Sequence, residues 1–380
     1  MVAARPVAAL LAEIEDHCHE LDATAAEADG LGRAPEDLAS LMLRLRVAMV
    51  KAPFEIGGDR LHLADQLRFF EALTYWNATA GWIGFNQAGA TGMAGASLCE
   101  EGVELLFGAE SYPTMAAVSA PSGTFVSVDG GLRATGTWRY ASGSHQADWA
   151  LLAALAVEEE QPNLRLLVAD MADATLDDDW NVMALKGSGS VSIKLEDAFI
   201  PDALVIDPTV GPRRGGTMYS LGYQAYVAAE NLGFTLGVCQ RFMDELASYS
   251  LEKGRGLDGL LGNRGAFQYE FGKGQLALNG ARSYGLQCFS EADSALSADQ
   301  ELPGSEQEVL VATMAYCTET AVDTVSHLFH FAGAGAIFDS NILQRCFRDA
   351  HGSAQHHVAS NIAYDRYGKA LLAPDKPPKV

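Results

Sequence analysis

The densest group of chemically able side chains lies near the end of the chain, in Arg345-Cys-Phe-Arg348-Asp349-Ala-His351-Gly-Ser-Ala-Gln-His356-His357. Three histidines and two arginines fall within about four helical turns. Imidazole changes charge near neutral pH, so it suits proton transfer. Arg345, Arg348 and His351 are spaced three apart and share a helix face. His356 and His357 are adjacent and point in different directions, so at most one faces a given pocket. Histidines satisfied at an interface are the plainer alternative. Metal binding is disfavoured: His351 and His356 are five apart, a poor spacing on one helix, and no H-E-x-x-H motif accompanies them.

A second group lies mid-chain, between Gly130 and Trp149. A glycine pair suits a tight hairpin turn. Leu132, Ala134, Gly136, Trp138 and Tyr140 then alternate with Arg133, Thr135, Thr137 and Arg139, the pattern of a half-buried strand. The strand runs into Ala141-Ser142-Gly143-Ser144-His145, a short polar loop of the kind that grips ligands when a rigid sheet holds it. An ordinary hairpin with a Ser/Gly turn is the alternative. A third candidate is Phe331-Ala-Gly333-Ala-Gly335-Ala-Ile337, whose glycines end one helix and expose backbone N–H groups to a phosphate. The helix-end reading stands beside the phosphate reading. No full G-x-G-x-x-G follows a strand, and there is no G-x-S-x-G and no P-loop. Nicotinamide binding, serine hydrolysis and nucleotide hydrolysis therefore have no support.

Three kinds of segment must position these groups. Residues 1 to 110 read as helical. Val7, Leu10, Leu11, Ile14, His17, Cys18 and Leu21 recur at helical spacing, and Ala34-Pro35-Glu36-Asp37 is a helix start. Further helices are expected over Leu63 to Trp76, Ala78 to Ala96 and Glu100 to Phe107. From 111 to 210 alternation replaces that spacing, with strands expected at Thr124 to Val128, Leu132 to Tyr140, Ala150 to Val157, Leu164 to Asp170 and Val191 to Leu195. Short strands so placed suggest a small barrel or sandwich. Residues 218 to 370 are helical again, with four long patterns at Tyr219 to Tyr249, Arg264 to Ala295, Ser305 to Phe331 and Asp339 to Tyr367, hence a four-helix bundle.

The chain has 380 residues, enough for two or three domains. Its formal net charge of −23 would repel a phosphate backbone or an anionic membrane, so neither nucleic acid nor membrane is an expected partner. Six scattered cysteines form no C-x-x-C pair, which indicates neither a disulfide framework nor a zinc site. The first residues turn acidic without a typical signal-peptide cleavage region, and no apolar run reaches the roughly 20 residues that span a bilayer. A cytoplasmic protein is expected.

Taken together, several stretches resemble flavin-dependent monooxygenases of the acyl-CoA dehydrogenase fold, the oxygenase components of two-component systems related to 4-hydroxyphenylacetate 3-hydroxylase and 3-HSA hydroxylase. They are Gly32-Arg33-Ala34-Pro35, Ala52 to Gly58, Tyr75 to Trp82, Gly-x-Trp138-x-Tyr140-x-Ser142-Gly143, Leu185 to Ser190 with Asp197 to Pro201, Ala332 to Gly335, and Leu343-Gln-Arg345-x-x-Arg348-Asp349. The resemblance implies an α+β fold: an N-terminal helical domain (1–110), a central small β-barrel (111–210) and a C-terminal four-helix bundle (218–370). It implies reduced FMN or FAD from a separate flavin reductase, reaction with O2 through a C4a-hydroperoxide, and transfer of oxygen to a small aromatic or heteroaromatic substrate. It implies that the flavin lies between the β module and the C-terminal helices, with Ser142, Gly143 and Ser144 about its N5 and Trp138 as a wall. His356, with His351 as second choice, would act on the substrate, and Gly333 and Gly335 would meet the phosphate end from a neighbouring subunit of a homotetramer. Acyl-CoA dehydrogenases, the alternative activity, commonly carry a glutamate just after the Arg-Asp pair; here His356-His357-Val358 stand there, with Glu252 or Glu270 as other candidate bases. A non-catalytic scaffold is a third reading. Several phenol hydroxylases of the family carry a further histidine where this chain has Asn86 and Gln87, which leaves indole-like, sulfur-containing and amino-sugar substrates open.

Overall fold

The computed structural model describes residues 4–109, 111–157, 163–254 and 259–372. Six helices precede the strands: α1 (Val7–Asp16), α2 (Cys18–Leu31), α3 (Glu36–Arg44), α4 (Leu63–Trp76), α5 (Ala78–Ser97) and α6 (Glu100–Phe107). Local chemistry sets their ends. Gly32, at φ 70, closes α2, and Pro35 followed by Glu36 and Asp37 opens α3 with acids at its positive end. The chain divides into two compact units: Met1–His62, Trp82–Val182 and Lys186–Ser220 form the first, and Leu63–Gly81, Met183–Leu185 and Leu221–Val380 the second.

The first unit contains the sheet. Its strands are β1 (Met115–Val128), β2 (Gly131–Trp138), β3 (Trp149–Ala156), β4 (Leu164–Asp170), β5 (Thr175–Asp177), β6 (Ser192–Pro201) and β7 (Val205–Ile206), in the order β5-β6-β2-β1-β3-β4-β7. β1 and β2 form the expected hairpin, turning through Gly130 at φ 78, whereas β1 and β3 run parallel. On β2 the alternation holds, with Leu132, Ala134 and Trp138 buried and Arg133, Thr135 and Thr137 exposed. Trp138 is wholly buried in this core, and its indole N–H donates to the Ala153 carbonyl at 2.7 Å. Gly123 and Gly136 make room for it: a Cβ at Gly123 would sit 2.0 Å from Trp138 Cζ2.

The sheet differs from expectation in its closure and at the end of β2. The sheet is open among the described residues rather than closed as a barrel. Its edge strands, β5 with three residues and β7 with two, carry too few backbone groups to zip the edges together. The strand also ends at Trp138. Tyr140 adopts φ 68 and is 65 % exposed, so it leaves the inward row in which alternation places it.

In the second unit, α4 packs on α8 (Ala228–Glu252) and α9 (Gly265–Ser297), with α7 (Tyr223–Tyr226), α10 (Gly304–Ala332), α11 (Ile342–Ser353) and α12 (Ile362–Leu371) completing it. Gly233 and Gly237 let α4 and α8 touch backbone to backbone; Cβ atoms there would lie 2.6 Å from the Leu67 carbonyl oxygen and 2.4 Å from that of Glu71. Asp293 caps the start of α4, accepting the Leu63 and Ala64 N–H groups at 2.8 and 2.9 Å. Glu71 pairs with Arg282 at 2.7 Å. The expected single helix from Asp339 to Tyr367 is instead broken after Ser353, where a short 3-10 turn at His357–Ala359 separates α11 from α12.

Candidate active site

In the first unit the Ser-Gly-Ser loop is clamped to a second loop, residues 186–191. Ala141 N–H donates to the Val191 carbonyl at 3.2 Å, and Gly143 N–H to that of Ser188 at 2.9 Å. Gly143 sits at φ 74 with Ile83 behind it, and a Cβ there would come within 2.8 Å of Ile83 Cγ2. The positive φ of Tyr140 redirects the chain so that Ser142 turns inward. Tyr140 itself rests edge-on against Trp180 at 6.4 Å, with Arg139 over its ring at 5.3 Å.

The inward turn builds a chain of polar groups. Trp82 Nε1 donates to Ser142 Oγ at 3.0 Å; Ser142 Oγ meets Ser190 Oγ at 2.8 Å; Ser190 Oγ meets Ser188 Oγ at 2.7 Å. Trp82, Ser142, Ser190 and Ser188 are only 7, 4, 3 and 1 % exposed. Ser144, also buried, gives its hydroxyl to the Ala141 carbonyl. The Ser142, Gly143 and Ser144 N–H groups are all used inside the loops, on the Tyr140, Ser188 and Ala141 carbonyls. A ligand at this loop would therefore meet the Ser142 hydroxyl as the adaptable group. The aromatic beside it is Trp82 of α5, while Trp138 stands in the sheet core.

On α5, Asn86 donates its amide to the Trp82 carbonyl at 2.8 Å. Gln87 is buried and lines a cavity of about 50 Å³ with Arg46, Tyr112, Thr114 and Gln146. Arg46 stacks on Tyr112 at 4.5 Å, and Arg46 Nε and Gln146 Nε2 lack a hydrogen-bond partner there. The space suits ordered water.

The histidines lie in the second unit. His351 Nε2 bonds Ser326 Oγ of α10 at 2.9 Å, and its ring packs on Phe347 at 4.5 Å. His356 Nδ1 accepts the Val358 N–H at 3.5 Å as a cap, so the neutral ring carries its proton on Nε2. Burial, then the neighbouring His357, push the His356 imidazolium down to about 3. Burial likewise lowers His351 and His357. His357 lies parallel to Tyr223 at 5.5 Å. The Arg348-Asp349 pair acts locally. Asp349 accepts the Leu185 N–H at 2.7 Å, and Arg348 donates to the Met183 carbonyl at 2.6 Å. These bonds fix residues 183–185 on α11, immediately before Lys186 in sequence. Gly333 and Gly335 occupy the turn between α10 and α11, where Gly335 backs onto the Tyr249 hydroxyl and Lys253 Nζ. Of the other carboxylates, Glu270 pairs with His327 at 3.1 Å and Glu252 is exposed at the end of α8. Among the described residues no group of three His, Cys, Asp or Glu side chains could hold a metal ion. Trp82, Ser188 and Ser190 fall within the Tyr75 to Trp82 and Leu185 to Ser190 stretches, but nothing local in the sequence says that they join Ser142 in one chain of hydrogen bonds.

Residues 232–361 match the family described as acyl-CoA dehydrogenase, C-terminal domain. The pigment production hydroxylase of Rhodococcus erythropolis is 23 % identical over 92 % of both chains. The flavin-dependent monooxygenase, oxygenase subunit HsaA, of Rhodococcus jostii is 25 % identical over 90 % of this chain and 93 % of its own. XiaF from Streptomyces sp., solved in complex with FADH2 and glycerol, superposes with a TM-score of 0.89 at 22 % identity, covering 98 % of this chain and 97 % of its own. The chain therefore has an acyl-CoA dehydrogenase-like fold of helical domains and a mixed sheet, and over nine-tenths of its length it is similar to flavin-dependent hydroxylases.

Proposed function

We propose that the chain is the oxygenase component of a two-component flavin-dependent monooxygenase that hydroxylates a small aromatic or heteroaromatic molecule. The observation that carries this reading over an acyl-CoA dehydrogenase is His356. Acyl-CoA dehydrogenases commonly carry a glutamate base after the Arg-Asp pair; here stands a neutral imidazole with Nδ1 engaged and Nε2 protonated, while Glu270 is paired with His327 and Glu252 is exposed. Such a ring donates a hydrogen bond well and accepts a proton poorly. Its role is to donate to a substrate hydroxyl oxygen and so polarise it, with His351 held aside by Ser326.

Reduced flavin, bound, supplies two electrons to dioxygen, so that one oxygen atom enters the substrate and the other leaves as water. FADH2 in the XiaF complex and the names of the relatives support the cofactor class; FMN fits the same chemistry. The Ser142-Gly143-Ser144 loop fits the ring's N5 edge, because its hydroxyl at Ser142 is the adaptable polar group and Trp82 beside it excludes water. Gly333 and Gly335, beside Lys253, suit the phosphate end. A separate reductase delivers the flavin.

The chain assembles as a homotetramer in this reading. What supports assembly is that Tyr269 and Leu276, 69 and 73 % exposed, share a face of α9 with Gly272 and Gly280, where a Cβ would meet no described atom within 4 Å. The packing of α8 with α9, α10 and α11 supports a four-helix bundle within residues 218–370. No helix among the described residues is long and apolar enough to cross a membrane, and the six free cysteines agree with a cytoplasmic setting.

The test mixes anaerobically reduced enzyme and flavin with oxygen and a panel of phenols and indoles. Hydroxylated product, with peroxide in its absence, is expected. Reduction of a dye by acyl-CoA without product would replace this reading with the dehydrogenase.

A further inference from the structure

The polar chain from Trp82 to Ser188 carries one step beyond the function just proposed, on which it rests. A hydroxyl has one proton and two lone pairs. Trp82 Nε1–H can only donate, so it takes one lone pair of Ser142. The remaining proton and lone pair are shared between Ser190 and any ligand. When Ser142 donates to Ser190, it offers the ligand an acceptor. When Ser190 donates to Ser142, the Ser142 proton turns to the ligand. The change requires a neighbour of Ser190 that can both give and take, and Ser188 Oγ at 2.7 Å is one. Ser144 cannot reverse in this way, because its proton is committed to the Ala141 carbonyl, and the backbone N–H groups of the loop are committed as well. A flavin's N5 bears a hydrogen in the reduced state and none in the oxidised state.

We propose that Ser190, backed by Ser188, is a positioning residue that lets the Ser142 hydroxyl reverse between acceptor and donor, so that one loop holds N5 of both redox states. No covalent step is involved; only hydroxyl rotors turn.

The test measures the dissociation constants of reduced and oxidised FMN and FAD, anaerobically and by flavin fluorescence, for the full chain and for Ser190→Ala. Without Ser190, a Ser142 that accepts from N5–H leaves its own proton buried and unpaired. Reduced-flavin binding is expected to weaken about tenfold. Oxidised-flavin binding should weaken less than about threefold, since Ser142 then donates to N5. Ser190→Thr, which keeps the hydroxyl, should restore the ratio. Equal weakening of both states, or no change in either, overturns the proposal while leaving the monooxygenase reading intact. A wild-type chain that binds neither state overturns both. Should Ser190→Ala fail to fold by circular dichroism, Ser188→Ala decides: a redox-selective loss in the same direction supports the chain, and a uniform or absent loss overturns it.

Discussion

The two polar clusters solve opposite problems. Around Ser142, three hydroxyls and an indole N–H are linked without a formal charge, and each hydroxyl can give or take a proton. Around α11, three imidazoles are pushed towards neutrality, and His356 is locked as one tautomer by its cap on Val358. One cluster is reversible and the other fixed. A fixed donor suits a partner whose polarity never changes, such as a substrate hydroxyl. A reversible one suits a cofactor that changes its hydrogen count.

Four experiments would break or sharpen this contrast. His356→Ala should have the largest effect: product formation falls about a hundredfold, the scale of losing an aligned donor, while oxygen is still consumed as peroxide. Undiminished product yield would remove the fixed donor from the mechanism. Ser142→Ala comes next. Peroxide leakage without product should rise about tenfold, and the chain should lose about 1–3 kcal/mol in urea titrations because Trp82 N–H loses its acceptor. A stability loss with unchanged leakage would make the hydroxyl chain purely structural.

Third, acid should expose the fixed cluster. His356 binds a proton in the unfolded chain below about 6.5 but not in the folded one until about 3, so stability present at neutral pH is lost as pH falls through that window. Between pH 7.5 and 5.5 His356 alone contributes at most about 1.4 kcal/mol to the loss. His351 and His357 act in the same direction. A His356→Gln chain whose stability declines just as steeply would show that its ring is solvated in the fold. The smallest functional change is expected for Trp138→Phe: stability falls by about 1 kcal/mol for the hydrogen bond to Ala153 and further for the space the smaller ring leaves in the core, with peroxide leakage unaltered. Altered leakage there would move the flavin wall from Trp82 back to the sheet core.

Legibility in the sequence follows the range of the interaction. Helix ends such as Gly32 and Pro35, and the alternation of β2, depend on near neighbours and can be read directly. The first half of β1, Met115 to Val118, cannot, because it pairs in parallel with β3 and no hairpin turn announces it. β6 continues past Leu195 to Pro201 because Asp197, at φ 52, absorbs a register shift that interrupts the alternation. Tyr140 departs from its expected place for a similar reason: one positive φ reverses its direction. Within the site, Ser142 is legible from its loop. Its partners are not, since Trp82 lies 60 residues before it and Ser190 lies 48 after. Composition says nothing about which of many serines meet.

The glycine seam between α4 and α8 has a consequence for how this polypeptide can be cut. Leu63 to Gly81 emerges from the ribosome long before Leu221, yet it belongs to the later unit. A C-terminal fragment beginning at Leu221 would be born with a missing rib: the channel shaped by Gly233 and Gly237 would stand empty, and Asp293 would have no helix start to hold. Supplying residues 63–81 as a separate peptide should restore such a fragment, much as a lost splint restores a joint.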